Sequence, residues 1–405
     1  MRVCVSACLL GVPCRYSGRG RFREDVAKLC DRIKRGGGAV IEVCPEVAGG
    51  LTIPRAPAEI RDGRVITVEG QDVTDAFESG ARISLDAINR AGGVPLAVLC
   101  RNSPSCGSTY LYDGTYTGRL VAGDGVFTRL LKGEGVAVTD ETIISQSKPS
   151  VEHPIAIVLG TGLGHLTGLV KPVRRIAYED IQGFPQDAQP LSGHRFEATV
   201  GTVAGVPVIV YPGRVHLYQG YSALEVTSLV RHAYRLGSRT IFFAGATGAI
   251  PGKAEVGLGI VSDHINLTGQ NPLVAWNREG ELSFVDTDLF DMADIYSPYL
   301  KGIAKGVAQD EGIALGEGVL AGVLGPSFET GAEVRALAAI GVSYVGMSTV
   351  IEAIMAHALG MQVLGLTLAA NYSGSVNVNH ESVLAAAHEH AEDFERLVTG
   401  ILRVL

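Results

Sequence analysis

The sequence lacks the features that would assign it to a membrane, a nucleic acid or the cell exterior. Its apolar runs are brief and broken by glycine, proline or charge, which excludes a membrane-spanning helix. Basic residues are outnumbered, 34 against 42 acidic ones. The net charge of −8 argues against nucleic acid or an anionic membrane surface as the main partner. Arg2 leads directly into Val3, Cys4 and Val5 without a signal-peptide stretch, so a cytoplasmic, small-molecule role is expected. Histidine is missing before His153 and cysteine after Cys106, although the chain holds ten of the first and seven of the second. Two chemistries are therefore divided along a chain whose 405 residues already suggest two domains. Clustered cysteines in a reducing compartment point to metal ligation or nucleophiles rather than disulfides.

The first part reads as a small parallel-sheet α/β unit. Strands are expected over residues 2–7, 39–43 and 95–99, and helices over 23–35 and 72–90, each helix closed by glycines. Every strand is followed by a cysteine-bearing loop: Cys8 and Cys14, then Cys44 before Pro45 and Glu46, then Cys106 after Ser103, Pro104 and Ser105. The carboxyl ends of parallel strands line a ligand crevice, so these cysteines should face one point. Zinc usually recruits Cys-x-x-Cys or histidine spacings, and neither is here; an all-thiolate iron–sulfur site with one open iron is expected instead. Cys4, Cys30 and Cys100 read as compact core residues.

In order along residues 2–141 stand Ser-Ala-Cys-Leu-Leu-Gly, Cys-Arg-Tyr, Val-Cys-Pro-Glu, Pro-Arg, Ser-Pro-Ser-Cys-Gly and Tyr-Asp-Gly. This run resembles the bacterial domain family that includes thiouracil desulfidase. The resemblance implies a [4Fe-4S] cluster on three cysteines drawn from Cys8, Cys14, Cys44 and Cys106, taking sulfur from a thiolated base or nucleoside. It makes Glu46 and Ser103 candidate catalytic proton donors or water-positioning groups.

Residues 143–154 are polar, contain two prolines and read as a linker between domains spanning 1–142 and 155–405. A strand from Ile155 then enters Gly160-Thr161-Gly162-Leu163-Gly164, an amide nest with one hydroxyl that suits phosphate. Residues 211–221 lie between an apolar run and a helix expected over 222–236. Strand-like alternation there would place Arg214, His216 and Tyr218 on one face: a fork of donors, an imidazole and a phenol suited to phosphate beside a sugar. A strand over 240–244 should lead into a small-residue turn at 245–249. Further polar groups follow apolar runs at Glu329, Ser348 and Asn371, and His380 falls in the first turn of a helix opening near Asn379.

Gly-x-Gly-Leu-Gly, Gly-His, Gly-Arg-x-His-x-Tyr-x-Gly-Tyr, Asp-His-Ile-Asn, Gly-Pro-Ser-Phe-Glu-Thr, Gly-Met-Ser-Thr and Asn-His-Glu occur in that order. Residues 155–405 thereby resemble the trimeric purine nucleoside phosphorylases, including the methylthioadenosine phosphorylases. The resemblance implies an α/β fold with a mixed, partly barrel-like sheet, a homo-oligomer built as a trimer or a multiple of it, and inorganic phosphate as co-substrate. Purine nucleoside and phosphate would give free base and ribose 1-phosphate. Phosphate falls to Thr161, His194, Arg214, His216, the Ala246 backbone N–H and Ser348; ribose to Tyr218, Met347 and His380; the base to Phe328, Glu329 and Asn371. His216, Glu329, Asn371 and His380 would be the catalytic groups. Asn371 rather than a carboxylate favours guanosine and inosine, because an amide can donate toward N7 and O6. Tyr372 stands where oxopurine-specific members often carry Lys, and Gln219 where an acid is frequent. The alternative to a bifunctional enzyme is a phosphorylase with a noncatalytic metal- or redox-sensing N-terminal module.

Overall fold

The computed structural model describes residues 1–190, 196–278, 290–375 and 380–405. They fall into two compact units: Met1–Gln146 with Gly302–Asp310 and Val404–Leu405, and Ser147–Lys301 with Glu311–Arg403. Among the described residues no helix is long and apolar enough to cross a membrane.

In the first unit four strands pair in parallel, in the order Ala39–Val43, Arg2–Ser6, Leu96–Leu99 and Ala137–Asp140. The fourth was not among the expected strands. Val3, Cys4, Val5 and all of Leu96–Leu99 are buried, as central strands of a parallel sheet covered on both faces must be. The helices Glu24–Arg35 and Thr74–Arg90 begin one and two residues later than expected. Gly80 lets a short helix, Pro45–Ala48, press against the second of them. A Cβ on Gly80 would stand 1.8 Å from the Pro45 carbonyl oxygen, so the bare backbone there seats the loop carrying Cys44 and Glu46. The expected linker begins as a helix, Thr142–Ser147, started by Asp140, whose Oδ1 accepts from the Thr142 N–H at 2.7 Å.

The second unit is built on a nine-stranded mixed sheet. Five of its strands close on themselves: Thr240–Ala249, Tyr344–Gly346, Gly316–Gly322, Gly257–Asn266 and Gln362–Tyr372, the last pairing back with Thr240–Ala249. Four more, Ile155–Leu159, Val206–Tyr211, Glu197–Val203 and Lys171–Ala177, continue outward from Thr240–Ala249. This is the partly barrel-like sheet expected.

Two local expectations change. The helix expected over 222–236 is two helices, Ala223–Val226 and Ser228–Arg235. The break falls at Thr227, whose hydroxyl bonds back to the carbonyls of Ala223 and Leu224 in place of regular helical geometry. The turn expected at 245–249 is instead strand, because the small side chains allow close pairing with Gln362–Tyr372 across the closing seam.

His232 marks a titration built into this unit. Its Nδ1 lies 2.8 Å from the Tyr211 hydroxyl, and burial, with Arg235 and Arg174 nearby, holds its pKa down to about 4. The unfolded chain binds that proton near pH 6.5, so this contribution to stability is complete above 6.5 and is lost as pH falls toward 4. Urea unfolding at stepped pH should show a decline over this window that His232→Gln flattens; parallel wild-type and variant profiles would contradict it.

Candidate active site

The closed ring leaves a gap in its own wall. Along one edge of Thr240–Ala249, the ladder with Ile155–Leu159 ends at Ala244 and the ladder with Tyr344–Gly346 begins at Gly248. Residues 245–247 belong to neither ladder on that edge, and Gly245, Ala246 and Thr247 line a cavity of about 280 Å³. Into the same cavity come Thr161 after the first strand, His216 and Tyr218 after Val206–Tyr211, Phe328 and Glu329 after Gly316–Gly322, Met347 and Ser348 after Tyr344–Gly346, and Asn371 near the end of Gln362–Tyr372. Nine residues singled out from sequence therefore meet. His194 lies outside the described residues. The helix His380–Glu389 starts at the expected place, but the His380 side chain is likewise outside them; Val383 of that helix lines the cavity.

Arg214 is placed differently from expectation. The chain leaves its strand at Tyr211 and reaches a short 3-10 helix at Leu217–Gln219, so alternation does not continue through Arg214, His216 and Tyr218. His216 and Tyr218 stack instead, with ring centroids 4.8 Å apart and 17° between planes. The Gln219 side-chain oxygen accepts from the His216 backbone N–H at 2.9 Å and lies 3.2 Å from its Nδ1. In the tautomer that donates Nδ1–H to this oxygen, Nε2 is the basic nitrogen.

Arg214 lies fully buried behind the cavity wall. Its Nη1 pairs with Glu352 Oε2, while Nη2 donates to the Ala244 carbonyl at 2.6 Å and the Val158 carbonyl at 3.3 Å. Neither side chain of the pair reaches solvent. Removing one partner of such a buried pair costs about 3–5 kcal/mol, since the other charge is stranded. The same Glu352 oxygen accepts the Thr349 N–H at 3.0 Å. Thr349 has φ 71° and ψ −51°, and the Val350 N–H closes onto the Ser348 carbonyl at 2.8 Å, making a γ-turn of the strained hand. A side-chain-bearing residue there costs on the order of 1–3 kcal/mol and needs surroundings that enforce it.

Two glycines separate the buried guanidinium from the cavity. A Cβ on Gly160 would lie 3.4 Å from Arg214 Nη2; one on Gly245 would lie 3.9 Å from that nitrogen and 3.3 Å from Ser348 Oγ. Guanidinium and hydroxyl thus both stand within 4 Å of one point at the cavity floor. Elsewhere in the cavity lining, burial raises the Glu329 carboxyl above its ordinary range. Asn371 Nδ2 donates to the Tyr372 carbonyl at 3.0 Å. The Tyr372 hydroxyl bonds to Glu255, and its ring is not part of the cavity lining.

The first unit has its own cavity, about 730 Å³, lined by Cys8, Cys14, Cys44 and Cys106 together with Glu46, Ser103 and Arg55. Cys100, expected only in the core, is buried and also lines it. Hydrogen bonds from Cys44 and Cys8 hold the Cys14 thiol below its ordinary range, whereas burial pushes Cys106 up to about 12. Cys14 is hydrogen-bonded to both Cys8 and Cys44, and Cys8 also to Cys100; among the described residues no three His, Cys, Asp or Glu side chains are grouped to hold a single metal ion. Ser103 Oγ donates to Glu46 Oε1 at 3.3 Å, and Arg55 holds Glu46 Oε2 while its Nη2 donates to the Cys14 carbonyl at 3.0 Å.

Residues 154–403 match the family model of the phosphorylase superfamily. The chain belongs to the phosphorylase superfamily. It is an enzyme, and residues 3–142 of this phosphorylase match the 2-thiouracil desulfurase model, so both resemblances read from motifs are borne out. It is 37% identical over 253 residues to purine nucleoside phosphorylase 1 of Geobacillus stearothermophilus, covering 62% of this chain and 90% of that one. Against purine nucleoside phosphorylase 1 of Bacillus subtilis the identity is 37% over 264 residues, covering 64% and 94%. Among solved structures, a Schistosoma purine nucleoside phosphorylase in complex with guanosine matches with TM-score 0.55 at 32% identity, over 62% of this chain and 91% of that one.

Sequence reasoning about this phosphorylase missed Glu352, Thr247 and Ser373. Glu352 left a signal, since Thr349-Val350-Ile351-Glu352 has the spacing of a helix capping box, and that box is formed. Ser373 and Thr247 left none, because what brings them to the cavity is the closing of the ring.

Proposed function

We propose that the chain is a purine nucleoside phosphorylase fused to a desulfidase, cytoplasmic, assembling as a trimer or a multiple of it, with domains over 1–142 and 155–405 joined by residues 143–154. The C-terminal part converts a purine nucleoside and inorganic phosphate into free base and ribose 1-phosphate. The observation that carries this reading is the pairing of Arg214 Nη2 and Ser348 Oγ about one point on a glycine floor, with Thr161, His216 and Ala246 around the same cavity. A phosphate dianion there stands beside C1′ and stabilises the sugar as it becomes oxocarbenium-like. The C1′–N9 bond breaks with its electron pair going to the base, and a phosphate oxygen forms the new C1′–O bond. His194 would join the phosphate set, and Tyr218, Met347 and His380 hold the ribose. Phe328 faces the base, Glu329 accepts from N1–H, and the Asn371 amide donates to N7 and O6 as charge gathers there. A bound N1–H offsets the burial that raises the Glu329 carboxyl.

This arrangement favours guanosine and inosine. A panel of guanosine, inosine, adenosine and methylthioadenosine, with and without phosphate, should yield base and sugar phosphate only with phosphate, with the oxopurines preferred by on the order of 100-fold or more. Cleavage that ignores phosphate, or equal rates across the panel, contradicts it.

For the N-terminal part, a cavity lined by thiols from three loops suits a [4Fe-4S] cluster on three of Cys8, Cys14, Cys44 and Cys106. When bound, such a cluster supplies an iron with an open position for sulfur. Glu46 and Ser103, hydrogen-bonded to each other, position and deprotonate water for attack at the thiolated carbon; water and C=S become C=O and hydrogen sulfide, with no net redox change. Anaerobically purified protein should contain iron and sulfide, lose both in Cys44→Ser and Cys106→Ser, and release sulfide from thiolated bases or nucleosides. A cluster without desulfuration would favour the sensing module instead.

A further inference from the structure

We propose that Glu352 is a positioning residue that assembles the two arms of the anion site, an inference that rests on the reading of that site as the phosphate site. One oxygen, Glu352 Oε2, receives both the Arg214 Nη1–H and the Thr349 N–H. The first bond aims the guanidinium, so that Nη2 lies behind the Gly160 and Gly245 floor. The second closes the helix-capping box and secures the γ-turn whose first residue is Ser348. The two arms come from loops more than a hundred residues apart in sequence, and a single carboxylate oxygen sets the distance between them.

Glu352 does not line the anion-facing cavity, so it touches neither phosphate nor nucleoside and acts through its two partners. The carboxylate is the group required. It carries the charge that compensates a guanidinium with no access to solvent, and it accepts two donors at one oxygen. Glutamine matches its length without the charge. Aspartate keeps the charge but is one methylene too short to hold both donors.

The test separates phosphate from nucleoside. Inorganic phosphate binding is measured by calorimetry on the full chain, and KM is measured separately for phosphate and for inosine. Glu352→Gln should weaken phosphate about tenfold or more, the usual worth of a hydrogen bond to a charged group, and leave the inosine KM within about threefold. Glu352→Asp should show the same selective weakening to a smaller degree, and it carries the test if the glutamine variant does not fold. Unchanged phosphate constants, or phosphate and inosine weakened alike, would overturn the assignment. So would failure of both variants to fold, which would make Glu352 a stability residue only. A wild-type chain that binds no phosphate and cleaves nucleosides without it overturns the phosphate reading itself.

Discussion

The second unit depends on a buried charge pair, Arg214 with Glu352, neither side chain reaching solvent. Taking two charges out of water is costly, and the mutual attraction repays it only with good geometry and further hydrogen bonds. Here the guanidinium also bonds to the Ala244 and Val158 carbonyls, and the carboxylate takes the Thr349 amide. The pair is thereby tied to the middle of one strand, Thr240–Ala249, to the end of another, Ile155–Leu159, and to the start of a helix. A hydrophobic pair of similar volume could fill that space without presenting a cation behind a glycine floor. The arrangement makes sense as a means of holding positive charge ready where an anion must arrive.

The closed ring of strands supplies the place. Between the ladder that stops at Ala244 and the ladder that begins at Gly248, the sheet leaves residues 245–247 available to a cavity. Small residues are needed there twice, once for the seam with Gln362–Tyr372 and once so that nothing stands between Arg214 and a ligand. Composition, strand pairing and site chemistry are thus one constraint. In the first unit a comparable constraint operates at Gly80, where close helix packing seats the loop that carries Cys44 and Glu46 to the thiol-lined cavity.

Much of this was legible in the chain. Thr161, Ser348 and Asn371 each follow an apolar run, and a parallel or mixed sheet brings such positions to one rim whatever the details of its closure. Orientation and closure were less legible. Arg214 was expected beside His216 and Tyr218 because alternation was carried past Tyr211, where the strand ends. Residues 245–249 read as a turn because glycine and alanine disfavour strands locally; only pairing with a segment over a hundred residues away makes them strand. Glu352 could be read as a cap, but its bond to Arg214 is a tertiary fact without a local pattern. Cys100 looked like ordinary core because burial and cavity lining are not distinguishable in an apolar strand end.

The most direct test is a crystal structure of the full chain with inorganic phosphate. The account predicts phosphate over Gly160 and Gly245, accepting from Ser348 Oγ, with the Arg214 guanidinium behind that floor and the Arg214 to Glu352 pair intact. Phosphate bound elsewhere, or an Arg214 that leaves Glu352 to reach it, would contradict the account.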